Sequence, residues 1–296
     1  MSNASTALQV FASGIASGIG YGLVEAQLFT TREVFVQSSS VGETPLRILH
    51  LSDLHITPSQ TRKINWVRSL GELKPDLTVV TGDFLAHQLA VPAVIEALDV
   101  LLDGPGLFVF GSNDYHAPEI KNPFRYFNKN RKINPQGKQL PTNELAEQLT
   151  DAGWVDLNNH QRRFTVSDTS IHARGTNDAH IKLDDYASVS GSYDSSSFAL
   201  GVTHAPYSRV THAFAQDGTD LLLAGHTHGG QVCVPFYGAL VTNCDLPTSQ
   251  AKGLSTVKAD EYSMPMHVSA GVGTSPITPV RFACRPEATV ITVARP

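Results

Sequence analysis

Mostly apolar runs alternate with amphipathic segments along the first third of the chain. Three runs read PLRILHLSD (45–53), DLTVVTGD (76–83) and GLFVFGSND (106–114). Each has the length and β-branched content of a buried strand. Between them, apolar residues recur at helical spacing over 59–73 and 91–102. This β-α-β-α-β order predicts a parallel sheet that is covered on both faces.

The rest of the chain continues the alternation with more strands. Helical spacing recurs in TNELAEQLTDAG (142–153) and YSRVTHAFAQDG (207–218). Further apolar runs predict strands at 162–168, 170–178, 198–206, 220–228, 266–273 and 288–294. We therefore expect a two-sheet α/β sandwich, with the sheets stacked face to face and the helices outside. We place this domain at 45–296.

The predicted domain contains a basic insertion at about 116–141 that fits neither a strand nor a helix. It is rich in proline and aromatic residues. Two interpretations remain open: a solvated basic loop, or a lid that recognises a phosphate-bearing substrate or anionic lipid headgroups. Its basic and aromatic residues are Lys121, Phe124, Arg125, Tyr126, Phe127, Lys129, Arg131, Lys132 and Lys138.

The N-terminal segment has an unusual composition. Residues 1–24 carry no charged side chain, and 7–24 has roughly the length of one bilayer crossing. Glycine recurs every fourth residue, at positions 14, 18 and 22, which is typical of close helix packing in lipid. We expect residues 1–40 to form a hydrophobic helix and a linker. The helix (7–28) either associates with a membrane or packs on the domain, and Arg32 favours the cytoplasmic side.

Overall composition excludes some functions. The net charge of −5 and the pI near 6.2 argue against nucleic acid as a partner. The chain has three cysteines, an odd and sparse number that predicts no disulfide framework and favours a reducing compartment.

Polar residues end the predicted strands at regular intervals. Asp53, Asp83 and Asn113 end the first three strands at a constant spacing of 30 residues. That spacing is one β-α repeat, so the three side chains should reach the same edge of the sheet. Four histidines follow the same rule at strand ends: His55, His204, His226 and His228.

The predicted cluster has the composition of a metal site. Imidazole and carboxylate together suit Fe, Mn, Zn or Co better than Ca or Mg. Seven ligands are too many for one ion and suit two ions that share a carboxylate. Two ions about 3.5–4 Å apart can support in-line displacement at phosphorus.

The order Asp-x-His, Gly-Asp, an Asn motif, a single His and Gly-His-x-His resembles the calcineurin-like metallophosphoesterases. The resemblance covers roughly 46–295 and is strongest to a bacterial branch with an N-terminal hydrophobic segment. It implies that one metal is held by Asp53, His55 and His228, and the other by Asn113, His204 and His226. Asp83 would bridge the two ions, and a hydroxide between them would attack phosphorus.

The third motif departs from the family pattern. The family has Gly-Asn-His, whereas this chain has GSNDYH (111–116). Either Asn113 or Ser112 takes the ligand position, and we favour Asn113 because an amide oxygen binds metal more readily than a neutral hydroxyl. The proton-donor role near the leaving group then falls to Asp114, His116 or water. A good leaving group would need less of this help.

The resemblance implies a dinuclear phosphoesterase that acts on a phosphoester or pyrophosphate bond. Its substrate would be a phosphate-containing small molecule, and the N-terminal segment together with the basic insertion favours a lipid-linked compound at a membrane surface. A different class of function is a membrane-associated metal-binding scaffold that has lost catalysis through the altered motif. A mononuclear amide hydrolase would need fewer ligands than the chain offers. Further residues that could line the cleft are His87, Asp178 and His180.

Overall fold

The computed structural model describes residue 13 and the ranges 16–119 and 137–296. In chain order the strands are β1 (Thr30–Gln37), β2 (Leu46–Leu51), β3 (Leu77–Thr81), β4 (Gly106–Val109), β5 (Val155–Asp156), β6 (Gln161–Val166), β7 (Thr169–Gly175), β8 (Phe198–Val202), β9 (Leu221–Ala224), β10 (Cys233–Val234), β11 (Gly238–Ala239), β12 (Gly253–Ala259), β13 (Tyr262–Val268) and β14 (Glu287–Ala294). The helices are α1 (Thr61–Ser69), α2 (Val91–Leu102), α3 (Ser112–Tyr115), α4 (Thr142–Asp151) and α5 (Ser208–Gln216). Short 3-10 turns cover Leu70–Leu73, Tyr186–Ser188, His228–Gly230 and Thr248–Gln250.

The first sheet has the strand order β1-β14-β2-β3-β4-β5. Strands β2, β3 and β4 are parallel, as the sequence predicts, and α1 and α2 make the two crossovers. Strand β14 is antiparallel to β2, so the sheet is mixed. Residues 30–37, which the sequence places in a linker, form the edge strand β1 beside β14.

The second sheet has the order β12-β13-β9-β8-β7-β6. Its inner strands are parallel, and the edge strands β12 and β6 are antiparallel to their neighbours. Apolar side chains from the two sheets pack against each other, among them Ile48, Leu77, Phe198 and Leu223. Helices α1, α2 and α4 cover the outside of the first sheet, and α5 covers the second. The predicted two-sheet α/β sandwich is confirmed.

Two predicted segments lie partly outside the described residues. Of the basic residues in the insertion, Lys138 is described, and its Nζ donates to Gln88 Oε1 at 2.6 Å. The insertion's other basic and aromatic residues lie outside the described ranges. The N-terminal segment is helical over 16–25. Within the ranges that the structure describes, we find no helix that is both long and apolar enough to cross a bilayer.

Candidate metal centre

Four side chains from three strand ends converge at one edge of the sandwich. Asp53, His55, Asp83 and His228 each offer a ligand atom, and these atoms lie within 4.8 Å of one another. His228 Nε2 is 3.2 Å from His55 Nε2 and 3.3 Å from Asp53 Oδ1. Asp53 Oδ1 is buried and has no hydrogen-bond partner among the described residues. A divalent ion would satisfy this oxygen and both imidazoles, so the residues fit a metal.

A second group of side chains also contacts Asp83. Asp83 Oδ2 is 3.4 Å from His55 Nε2, 3.5 Å from His204 Nε2 and 2.7 Å from Asn113 Nδ2. The His204 and His226 rings are 5.2 Å apart, centroid to centroid. Asp83 therefore contacts members of both predicted ligand sets, as a shared carboxylate would.

Backbone carbonyls contact the second nitrogen of three of these imidazoles. His204 Nδ1 lies 2.6 Å from Thr81 O, His226 Nε2 is 3.3 Å from Asn243 O, and His228 Nδ1 is 3.3 Å from Gly273 O. A carbonyl oxygen only accepts, so the contacting nitrogen must carry the proton. In the neutral ring, the opposite nitrogen then has the lone pair that a metal requires.

Burial sets the charge of the histidines. It holds the pKa of His55 and of His226 well below the ordinary value, and neighbouring imidazoles add to this effect. Burial also lowers the pKa of His228, although Asp53 opposes it. These three rings are neutral near pH 7, the form that binds metal. His204 differs: burial lowers its pKa, but Asp83, Asp53 and Asp178 together raise it to about 9.

Five of the predicted ligands have left-handed backbone conformations. The φ angles are positive at Asp53, His55, Asp83, His226 and His228, between 43° and 70°. Such conformations cost about 1–3 kcal/mol each in a non-glycine residue and concentrate at functional sites. The chain turns sharply after each strand, and each turn directs a side chain toward the shared edge.

Glycines beside the ligands leave the space that these side chains occupy. A Cβ at Gly111 would lie 2.6 Å from His204 Nε2 and closer still to Asp83 Oδ1. A Cβ at Gly225 would lie 2.8 Å from Asp53 Oδ2 and would collide with Ser52 Oγ. The glycines in the Gly-Ser-Asn-Asp and Gly-His-x-His motifs are therefore required by packing against the ligands.

Asp114 is hydrogen-bonded to the backbone around Asp83. Both of its oxygens accept backbone N–H groups, from Asp83 at 2.8 Å, Phe84 at 2.7 Å, Leu85 at 3.0 Å and Gly111 at 2.9 Å. This side chain thus fixes the loop that carries Asp83, and the catalytic role of Asp114 stays a prediction. His116 Nδ1 contacts Gly137 O at 3.2 Å, and its catalytic role stays a prediction.

Two buried basic side chains hold the ligand loops, and sequence reasoning missed both. The Arg281 guanidinium donates to Ala270 O, Gly271 O and Gly273 O at 2.7–3.0 Å. Lys63 Nζ donates to Leu54 O at 2.8 Å and to His55 O at 3.2 Å. Lys63 could have been found, because it lies four residues before Val67 on the buried face of α1. No pattern in the sequence marks Arg281.

The three further residues that the sequence suggests for the cleft, His87, Asp178 and His180, differ in their position relative to the predicted ligands. The His180 ring lies 4.5 Å from the His226 ring, and its Nδ1 is 3.0 Å from the Tyr207 hydroxyl. Asp178 is buried, and its Oδ1 accepts His180 N at 3.0 Å. His87 is exposed, and its ring accepts Leu89 N at 3.1 Å. The structure thus brings His180, but not His87, against a predicted ligand.

Comparison with known proteins decides the family. The model of the calcineurin-like phosphoesterases matches residues 46–230, which is more than half of the chain. The chain belongs to this family. Such metallophosphoesterases are hydrolases that normally use a dinuclear metal centre on phosphate-containing substrates.

Relatives in this family cover most of the chain at low identity. The uncharacterized metallophosphoesterase YkuE of Bacillus subtilis (strain 168) is 24% identical, over 95% of this chain and 92% of its own length. Phosphodiesterase YaeI of Escherichia coli (strain K12) is 25% identical, over 96% of both chains. UDP-2,3-diacylglucosamine pyrophosphatase LpxG of Chlamydia trachomatis is 25% identical, over 77% of this chain and 78% of its own.

Proposed function

We propose that the chain hydrolyses a phosphoester or pyrophosphate bond with two divalent ions, drawn from Mn, Fe, Zn and Co. Asp53, His55 and His228 would hold one ion, and Asn113, His204 and His226 the other. Asp83 would be shared between them. The observation that carries this proposal is the position of Asp83 Oδ2, within 3.5 Å of donors from both sets.

The protein contributes carboxylates and three neutral imidazoles, and His204, whose pKa is raised to about 9, would release its proton on binding an ion. Bound ions would supply an activated water and charge neutralisation for in-line displacement at phosphorus. The carbonyl contacts of His204, His226 and His228 hold each ring in one orientation, so little reorganisation is needed. Asp114 and Arg281 hold the loops that carry the predicted ligand side chains.

The altered third motif favours a substrate with a good leaving group. No histidine follows Asn113 directly, and both Asp114 oxygens are occupied by backbone N–H groups. A leaving group of low pKa, such as the half of a pyrophosphate, departs with little protonation. Such a substrate suits this centre better than an ordinary alkyl phosphate.

We propose that the substrate is a lipid-linked compound. The relative LpxG is named as a pyrophosphatase of a diacylated nucleotide sugar, and YaeI as a phosphodiesterase. The uncharged N-terminal segment supports a location at a membrane, and Arg32 supports the cytoplasmic side. A membrane-associated scaffold that binds metal without catalysis is the competing function.

Leaving-group dependence tests the proposal. The manganese-loaded chain is assayed on a series of aryl phosphodiesters, from bis-p-nitrophenyl phosphate to diesters of less acidic phenols. We expect rates to fall steeply as the phenol pKa rises, because proton donation is weak. Asp83→Asn should abolish turnover, whereas Asp99→Asn, at an exposed ion pair with Arg68, should retain it. A metal-loaded chain that hydrolyses none of the diesters would support the scaffold function.

A further inference from the structure

A small hairpin projects from the loop that carries the predicted ligands. It begins at Gln231, three residues after His228, and returns at Asn243, whose carbonyl lies 3.3 Å from His226 Nε2. Strands β10 and β11 pair antiparallel within it. We call residues 231–243 the hairpin segment. Both of its ends therefore lie beside the metal centre.

The hairpin segment exposes apolar side chains that its own pairing cannot cover. Phe236 at the tip is fully exposed, and Tyr237 is 74% exposed. Large parts of three aliphatic side chains are exposed as well: Val232, Val234 and Leu240. Soluble surfaces rarely present so many apolar groups together, and such patches mark interaction sites.

The N-terminal helix lies against the same part of the molecule. Val232 forms a bridge with Phe282, and the Phe282 ring packs edge-on against Tyr21 at 5.4 Å. Gly22 O accepts Arg281 N at 3.0 Å. Segment 280–284 is thus in contact with the hairpin segment on one side and with the helix on the other. The two apolar elements therefore lie beside each other, with Phe282 in contact with both.

The carboxylate of Glu25 fixes the helix in this position. It accepts Ala283 N at 2.9 Å and Cys284 N at 2.8 Å. Glu25 is itself buried, so this contact belongs to the folded core and not to a loose surface pair. The helix and the hairpin segment are therefore presented together in a fixed arrangement.

The distribution of exposed residues around the helix indicates lipid as the occupant. Ile19, Tyr21, Leu23 and Val24 are each at least 45% exposed. At about 100° per residue they span about 200° of the helix circumference. A flat protein partner covers one stripe of a helix, whereas lipid covers an apolar helix from all free sides. The chain before this helix has no charged side chain to oppose insertion.

We propose that the hairpin segment and the N-terminal helix insert together into a lipid bilayer. Tyrosine, as at Tyr237, is enriched at the membrane interface, and phenylalanine, as at Phe236, is common on the apolar face of segments that lie in that interface. Insertion would bring the metal centre to the level of the lipid headgroups, where a lipid-borne phosphate could reach it. The substrate part of this inference rests on the proposed function, whereas the insertion itself rests on the exposed surface.

A tryptophan placed at the hairpin tip tests the insertion directly. Phe236→Trp is compared with Phe35→Trp, which changes a Phe that is 71% exposed on β1. The full-length chains are mixed with vesicles of phosphatidylcholine and phosphatidylglycerol that carry brominated acyl chains. The unsubstituted chain corrects for Trp66 and Trp154. We expect blue-shifted, bromine-quenched emission from the indole at position 236 and unchanged emission from the indole at position 35.

A second variant measures how much the two aromatic side chains at the hairpin tip contribute to vesicle binding. Phe236→Ser combined with Tyr237→Ser should weaken partitioning into the same vesicles by about tenfold or more, because burial of each aromatic ring is lost. Phe35→Ser should leave partitioning unchanged.

Three results would overturn the insertion. The chain could ignore the vesicles, it could bind them without quenching at position 236, or it could bury that indole in a dimer formed without lipid. Turnover of a soluble diester by the unsubstituted chain is measured separately. If the unsubstituted chain does not turn over the diester, the proposed function is contradicted. The conclusion on vesicle binding is unaffected by that result.

Discussion

At the scale of single residues, Asp83 and Asp114 have different roles at the loop that follows β3. Asp83 faces the imidazoles and Asn113, whereas Asp114 binds the backbone N–H groups of Asp83, Phe84 and Leu85. A residue adjacent in sequence to a predicted ligand thus shapes the site through the backbone. The motif spacing alone could not separate these two roles, because both residues are aspartates at the end of a strand.

Asp114→Asn should destabilise the fold. The amide keeps one acceptor oxygen but turns its NH₂ toward N–H groups that have lost their partner. Each stranded buried N–H costs about 1–3 kcal/mol, so the urea midpoint should fall clearly. Asp99→Asn is the control at an exposed site. An unchanged midpoint together with a large loss of turnover would instead support the proton-donor role for Asp114.

Residue spacing predicted the identity of the converging side chains but not their backbone. Strand ends thirty residues apart brought Asp53, Asp83 and Asn113 to one edge, as the β-α repeat requires. The left-handed conformations of Asp53 and Asp83 are stabilised by surrounding contacts, so no local pattern reports them. Arg281 is similar, because its carbonyl partners lie in a turn eight to eleven residues before it that shows no periodic pattern.

At the scale of elements, the strands that carry ligands were the most predictable. Strands β2, β3, β4, β8 and β9 are buried along their whole length or nearly so, and give continuous apolar runs. Strands β1, β6 and β12 are edge strands with many exposed positions, and β1 and β12 were not predicted. The two-residue strands of the hairpin segment are too short to produce any periodicity.

The end of β4 provides a test at this scale. Gly111→Ala would place a methyl group against Asp83 and His204, and we expect these side chains to shift. Metal affinity should fall by about 10–100-fold, as when supporting contacts of a ligand are lost. Gly104→Ala is the matched control, because a Cβ there meets nothing nearer than 3.8 Å. Calorimetric titration with Mn measures both variants, and equal affinities would contradict the packing argument.

At the scale of the whole molecule, a buried pair of histidines links the two sheets. His50 Nδ1 on β2 lies 2.9 Å from His267 Nδ1 on β13, and both side chains are buried. Burial and the neighbouring imidazole hold the pKa of His50 well below its ordinary value, and burial lowers the pKa of His267 to about 4. Both rings are therefore neutral in the folded protein near neutral pH.

This pair predicts a pH dependence of stability. Below an unfolded pKa of about 6.5 the unfolded chain takes up protons that the folded chain cannot bind. The free energy of unfolding should fall as pH drops from about 6.5 toward 4. Urea unfolding in excess chelator measures this without metal release. His267→Gln should flatten the slope, and His212→Gln, at an exposed site, should not; equal slopes would contradict the assignment.

The two-layer architecture followed from element order, whereas the mixed first sheet did not. Strand β14 pairs antiparallel with β2, and β1 pairs with the other edge of β14. Both pairings join residues that are separated by most of the chain length. Such long-range pairing leaves no local signal in the sequence. The division of the chain at residue 40 stays a prediction, although residues 30–37 belong to the sheet.

The most direct test of the account is the metal content of the purified chain after reconstitution with Mn. Elemental analysis is run on the wild type, Asp83→Asn and the control Asp99→Asn. Two ligand sets that share one carboxylate predict about two ions per chain in the wild type and the control. They predict fewer in Asp83→Asn. A wild-type chain that binds no metal under these conditions would contradict the metal centre itself.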